Sequence, residues 1–562
     1  MKEGQLDPSS FDRTDLVDVK DDPDTLPHDI LFHRLHYLAC HQNTTVIKER
    51  HLDLEITHKQ LLSAIVSLKV RILEQLHPRT VEKLQRDEEV GFVVFARGYE
   101  FVMAYFAILA IGGIVVPTSP YITLDEALHF VTTCTAHAVV HSPAFQSLAA
   151  QLTGKANVAQ EYRPISMGFL GAQKIMDPRQ MRFSIRKIRD LNKPGALIFT
   201  SGSTGKPKGA VMRRYNIIVH SMLQIWKNDI RQGYVILQML PTHHATGLVL
   251  NTIPTILGGG CVEFTQPKFN AAAVWDRIRL GGIKSISAVP TIYVRLLKFW
   301  EDELSKLEPG EKESHRVAMA SIEQFHVGTS SLPTNVSSQW TLLFGRRILE
   351  RYGGTEFGNP YANYPGTKLV LGSVGVKNPG VESYLENDNE GEVFSRTPLM
   401  FSKYINNIEG TRDSLTPEGY FKTGDVAERI GDHYFIKGRK SVDLLKTGGY
   451  KVSALDIERE ILTHPKVGEA IVVGVDDHEL GQRVAAAVVL KEVRGYDSLS
   501  LEELRNSLRS SLSNYKLPTI LRVVPELRKT ANMKIPKLLL KKELFETDHP
   551  DIQKWNPQVA KL

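Results

Sequence analysis

The sequence predicts an α/β protein, with a large N-terminal domain of parallel and mixed sheets flanked by helices and a small C-terminal α/β domain behind it. Three observations carry this prediction. Strand-like apolar runs alternate with helix-like runs along most of the chain, as they do in βαβ units whose sheets are covered on both faces. The pattern restarts beyond "YFIKGRKSVD", which marks a boundary. Finally, 562 residues are too many for one hydrophobic core.

The elements follow in order. "EVGFVVFA" is a buried strand leading into the helix "FVMAYFAILA", which turns at Gly112-Gly113 into a second buried strand, "IVVP". Broken by those glycines, this apolar run falls short of the roughly 20 residues that a membrane-spanning helix needs. "HAVVHS" is the next strand. "GALIFT" precedes a glycine-rich loop and a helix from Tyr215 to Asn228. "YVILQMLP" leads to an apolar helix around Leu248 to Leu257, and "SISAVP" leads to the helix "TIYVRLLKFW". Past the boundary come a helix ("SALDIEREILTHP"), two strands ("EAIVVGV" and "VAAAVVL") and a helix from Leu501 to Leu512. That unit, of roughly 120 residues, is large enough for a core of its own. The expected organisation is a loose polar arm over residues 1–30, a large domain over 31–437 and a small domain over 438–562.

Composition narrows the function. Hydrophobic residues at 42% and charged residues at 23% describe a globular chain able to bury a core. A net charge of +6 over this length suits anionic small ligands and argues against nucleic acid, which calls for a basic stripe. Cys40, Cys134 and Cys261 lie far apart without CxxC spacing, which argues against a disulfide framework or zinc site and fits a reducing compartment better. The acidic, polar N-terminus is not a secretory signal.

"LIFTSGSTGKPKGAV", Leu197 to Val211, is the most informative stretch. Its glycines let backbone N–H groups approach an anion, its hydroxyls donate hydrogen bonds, and its lysines add charge. It is not a Walker P-loop, because only Ser203 and Thr204 separate Gly202 from Gly205-Lys206, where that motif needs four residues before its Gly-Lys. "TSGSTGKPKG" instead resembles the phosphate loop of the adenylate-forming superfamily: acyl-CoA synthetases, firefly luciferase and peptide-synthetase adenylation domains. "LPTHHATG", "RYGGTEFG", "GSVG", "GEV", "FKTGD", "GRKSVDLLKTGGYKVSALDIE" and "KTANMKIPK" then match that superfamily's motifs in order, so that the resemblance spans about Phe32 to Leu544.

The resemblance implies a fold with a mobile small domain and a reaction in two steps. A carboxylic acid and ATP form an acyl-AMP and pyrophosphate; a thiol, usually that of CoA, then displaces AMP. Anion must approach anion in the first step, so positioning and fixed positive charge are the main catalytic tools. By resemblance, Thr200, Ser201, Gly202, Ser203, Thr204, Gly205 and Lys208 wrap the terminal phosphates. Thr355 is similar to the α-phosphate contact, and Glu356 to the Mg²⁺ ligand. Asp425 resembles the acceptor of both ribose hydroxyls, Arg439 a second ribose and phosphate contact, and Tyr352, beside Gly353, the aromatic that stacks on adenine. The Gly328 loop borders the base. Lys534 resembles the small-domain lysine that bridges carboxylate and α-phosphate, with Met533 where glycine is usual. The rotation hinge falls at Ser441 or Val442, because "GRKSVD" carries one residue more than the common form. The Gly448-Gly449 turn is similar to the one beside the CoA pantetheine.

For the acid, the motifs look most like the malonyl-CoA synthetase branch. In that branch "VPTxYxR" supplies an arginine for the distal carboxylate, which here is Arg295. His244 opens "HATG", where Thr246 replaces a second histidine, and Gly354 stands where methionine is common, enlarging the expected acyl pocket. A dicarboxylic or secondary-metabolite acid is the expectation, with ATP, Mg²⁺ and CoA as cofactors and no nucleic-acid or membrane partner. The ending Ala560-Lys561-Leu562 is similar to a Ser-Lys-Leu address and implies a peroxisomal import receptor, with the cytoplasm as the alternative. Two other readings stay open: delivery to a carrier protein in trans, and a non-catalytic ligand-binding relative.

Overall fold

The computed structural model describes residues 16–17, 25–42, 44–155, 162–168, 175–184, 190–200, 207–491, 493, 496–529, 535–546 and 549–555. Two large sheets form the body of the N-terminal domain. One has seven strands in the order Lys403–Tyr404, Lys208–Arg213, Pro194–Thr200, Ile114–Pro117, Gly91–Phe95, Ala138–His141 and Arg163–Ser166. From Pro194–Thr200 onward its strands run parallel, while Pro194–Thr200 and Lys208–Arg213 are antiparallel. The other has nine strands, and its parallel centre runs Ile348–Gly354, Gln324–Val327, Ser285–Ala288, Val235–Gln238, Cys261–Phe264, Thr45–Glu49. Parallel strands are buried on both faces, and the apolar runs meet that demand: Val93, Val115, Val139, Ile198 and Ile286 are wholly buried.

The helix Gly98–Ala110 is apolar all round because it is packed all round, buried at every position from Phe101 to Ala110. It ends where Gly112 takes a φ of +84°, a conformation glycine adopts at no steric cost. Among the described residues no helix is long and apolar enough to cross a membrane. The expected apolar helix opens as a π-helix over Thr246–Thr252 before continuing as Ile253–Gly258.

A four-stranded antiparallel sheet (Glu382–Asn387, Glu390–Arg396, Phe421–Ile430, His433–Arg439) closes the large domain. Its last strand runs to Arg439, two residues past the expected boundary, because Arg439 stays in register with Asp425. The small domain's sheet begins at Leu444–Thr447. Its core gathers Leu445, Ile457, Val472, Ala486, Leu504 and Leu521.

The N-terminal arm corrects the expectation of looseness where it is described. Leu16–Val17 and Leu26–Pro27 flank Phe183–Ser184 in a three-stranded sheet. Thr25 and Leu26 are buried, and the Lys69 ammonium donates to the Thr25 carbonyl.

Candidate active site

Two polar clusters form between the strand ends and the turns that follow them. The first centres on Glu356, in the turn between the strands Ile348–Gly354 and Gly358–Ala362. Glu356 Oε1 accepts from the Thr200 hydroxyl at 2.8 Å and from the Tyr404 hydroxyl at 3.0 Å. Lys208 Nζ stands 5.2 Å from the centre of the Tyr404 ring, within cation–π range. Burial, reinforced by the Glu356 carboxylate, pushes the Tyr404 phenol far above its usual pKa. It stays a hydrogen-bond donor at any physiological pH.

The second cluster centres on Asp425. Its Oδ2 accepts from the Tyr352 hydroxyl at 2.9 Å and its Oδ1 from Arg439 Nε at 3.0 Å. The second contact follows from strand pairing, since Asp425 and Arg439 are directly opposed. Burial works against the Arg439 charge, but Asp425, Tyr352 and Glu356 together raise its pKa. Arg439 thus feels both carboxylates, and the two clusters share one electrostatic environment. The buried Tyr352 ring lies nearly parallel to Tyr361, with centroids 5.8 Å apart at 20°, and beside Phe357.

The remaining predicted residues are placed as follows. Thr355 precedes Glu356 in its turn, and Gly353 permits a close approach: a Cβ there would lie 2.2 Å from the Gly358 carbonyl oxygen. Gly354 does not open a pocket of the expected kind, because the space a side chain would enter is filled by the buried Phe357 ring, 2.5 Å from such a Cβ. The His244 carbonyl accepts from Leu248 N at 2.9 Å, and its ring lies 4.4 Å from that of His243. Gly448 and Gly449, both at positive φ, form the turn joining Leu444–Thr447 to Tyr450–Ser453. Arg295 is exposed on the helix Pro290–Asp302, its guanidinium 5.9 Å from the Phe269 ring centre. Ser201, Gly202, Ser203, Thr204, Gly205 and Lys534 lie outside the described residues.

Sequence reasoning passed over Arg351, the residue before Tyr352. It leaves the carboxyl end of the nine-stranded sheet's parallel centre, next to Gly328, where a Cβ would sit 3.3 Å from the Arg351 carbonyl oxygen. Its Nη2 donates to Ser287 Oγ at 2.8 Å, while its buried Nε has no hydrogen-bond partner among the described residues. Burial lowers this guanidinium to about 10, so it remains charged at neutral pH.

The site therefore offers one carboxylate held by two neutral hydroxyls, a second held by a tyrosine and an arginine, a lysine, and the half-buried Arg351. Ligands of open α/β sheets bind at such strand ends. Comparison with known proteins gives the arrangement its context. The family model for AMP-binding enzymes matches residues 81–405, and the model for the AMP-binding enzyme C-terminal domain matches residues 456–534. A CoA ligase of Gibberella moniliformis is 31% identical, covering 92% of this chain and 96% of its own. The mitochondrial malonate–CoA ligase ACSF3 of Homo sapiens is 32% identical, covering 83% and 84%. The fold matches ATP-bound MatB from Rhodopseudomonas palustris with a TM-score of 0.74 at 24% identity, over 91% of this chain and 98% of that one.

Proposed function

Because this chain belongs to the AMP-binding enzyme family and is an ATP-dependent acid–CoA ligase working through an acyl-AMP, we propose that its acid is a dicarboxylate whose distal carboxylate is received by Arg351. The half-buried guanidinium, whose buried Nε has no hydrogen-bond partner among the described residues, carries this reading. An isolated buried charge is costly, and a bidentate carboxylate is the ligand that best repays an arginine fork. Relatives that are malonate–CoA ligases favour the same class of acid. The exposed Arg295 is the weaker choice, since water screens its charge.

In the first half-reaction an oxygen of the acid's other carboxylate attacks the α-phosphorus, and the bond to the bridging oxygen breaks to release pyrophosphate. Asp425 and Arg439 orient the nucleotide, Lys208 offsets phosphate charge, and Lys534 bridges the two reacting anions. In the second, the CoA sulfur attacks the acyl carbonyl and AMP leaves. The surroundings of Glu356 fit Mg²⁺: its carboxylate stands beside the hydroxyl oxygens of Thr200 and Tyr404, all hard oxygen groups. One carboxylate plus phosphate oxygens meets the preference of that ion. When bound, Mg²⁺ neutralises charge developing on the phosphates. The Gly448-Gly449 turn borders the CoA path. The Ala560-Lys561-Leu562 tripeptide, outside the described residues, supports a peroxisomal address, which a fluorescent fusion of residues 551–562 tests directly.

ATP–pyrophosphate exchange and CoA-thioester formation, run over matched mono- and dicarboxylic acids, test the proposal. Diacids are expected to lead in both assays. A preference for monoacids of equal length rejects the dicarboxylate reading and leaves the ligase chemistry standing.

A further inference from the structure

Between the two domains, the segment Lys440–Asp443 crosses from the last strand of the large domain to the first of the small one. Asp443 pins this crossing. Its Oδ2 accepts from the Arg439 backbone N–H at 2.9 Å, its own N–H donates to the Arg439 carbonyl at 2.8 Å, and its carbonyl accepts from Ala454 N at 2.7 Å. Its Oδ1 accepts from Lys537 Nζ at 2.6 Å. Lys537 Nζ stands equally close, 2.6 Å, to Glu458 Oε1, which also accepts from Val472 N at 2.6 Å. All three side chains are nearly buried, at 13%, 14% and 12% exposure for Lys537, Asp443 and Glu458. Ser441 and Val442 line a small cavity together with Lys537, Leu538 and Lys541, so the crossing packs directly on the helix Lys537–Phe545.

A buried ion cluster is a poor way to gain stability, because desolvation consumes most of the attraction; its best-attested use is to fix one register. Here the cluster continues a chain of contacts that starts in the active site: Tyr352 to Asp425, Asp425 to Arg439, Arg439 backbone to Asp443, Asp443 to Lys537. Lys537 lies three residues beyond Lys534 in the sequence.

We infer that Lys537 is a positioning residue for adenylation, tying the segment that carries Lys534 to the interdomain crossing through Asp443 and Glu458. The inference rests on the assignment of Lys534 to the first half-reaction. Lys537 touches no reacting atom; it acts by holding one end of the lysine-bearing segment to the strand that presents Arg439. The second half-reaction does not need Lys534, so the two steps respond differently when the tie is cut.

The experiment uses the full-length enzyme, the acid that supports its fastest pyrophosphate exchange, and the chemically prepared adenylate of that acid. Lys537→Met is expected to lower exchange at least about tenfold while keeping thioester formation from supplied adenylate within about threefold, and Lys537→Arg to restore most of the exchange. Equal losses in both half-reactions, or no loss in either, overturn the inference. If Lys537→Met does not fold, Asp443→Asn gives the same decision, since the amide oxygen still accepts from Arg439 N–H while the charge facing Lys537 is gone. Lys534→Ala serves as the reference: if it too loses both half-reactions alike, the assignment of Lys534 fails, whereas a split in Lys534→Ala without one in the Lys537 variants rejects the tie alone.

Discussion

The Tyr352 hydroxyl donates to Asp425 Oδ2 at 2.9 Å while Arg439 Nε holds Oδ1 at 3.0 Å, so the Asp425 carboxylate is already oriented from both sides. Charge-assisted bonds of this type contribute about 1.5–3 kcal/mol each. Asp425→Ala is therefore expected to weaken ATP binding more than tenfold. Tyr352→Phe, which removes one orienting donor and keeps the ring, is expected to cost less. Calorimetric ATP titration of both variants checks the order. An unchanged affinity in Asp425→Ala removes Asp425 from the nucleotide site.

Glu356 presents its carboxylate through Thr200 and Tyr404. Glu356→Gln keeps the shape and removes the charge, so pyrophosphate exchange is expected to fall by two orders of magnitude or more and to need a higher Mg²⁺ concentration for half-maximal rate. Tyr404→Phe leaves the charge and is expected to lose less than tenfold. A Mg²⁺ dependence identical to that of the unaltered enzyme in Glu356→Gln contradicts the assignment.

Lys534→Ala is expected to cripple adenylation and spare thioester formation from supplied acyl-AMP. Both half-reactions measured on one protein preparation decide it, and equal loss in the two points to a different lysine or a folding defect.

Glu350 gives a pH prediction. Burial raises its carboxyl to about 7, against the opposing pull of Arg459 and of a hydrogen bond from the Leu332 backbone. An acid whose folded pKa lies above its unfolded value binds the proton more tightly when folded, so its contribution to stability is greatest at low pH and is lost as pH rises from about 4.5 towards about 7. Glu350→Gln removes that loss. The variant is expected to gain Tm relative to the unaltered protein at pH 8 and not at pH 4.5, as read by calorimetric scans at the two values. A difference in Tm that does not change with pH contradicts this account.

Much of this architecture was legible in the sequence because it is local. The alternation of apolar runs located the parallel strands, and the motifs "FKTGD" and "GRKSVD" singled out Asp425 and Arg439, which strand pairing then opposes. What escaped was non-local. Tyr404 meets Glu356 across 48 residues of chain, and nothing in "KYIN" signals that. Gly354 read as space for substrate until packing put Phe357 there. Arg295 sat in a recognisable motif and drew attention, while Arg351 passed as one residue of "RYGGTE"; that Arg351 is half-buried and Arg295 exposed is a property of the fold. The arm over residues 1–30 read as loose because its composition is polar, yet Leu26 is fully buried.

The dicarboxylate assignment meets its most direct test in Arg351→Leu, assayed by kcat/KM on a diacid and a monoacid of matched length, with Arg295→Leu alongside. A carboxylate buried without its partner typically costs about 3–5 kcal/mol, so Arg351→Leu is expected to lose two to three orders of magnitude or more on the diacid and little on the monoacid. Arg295→Leu is expected to leave the ratio between the acids nearly unchanged. Equal losses on both acids in Arg351→Leu, or a preference that switches only in Arg295→Leu, contradict the assignment.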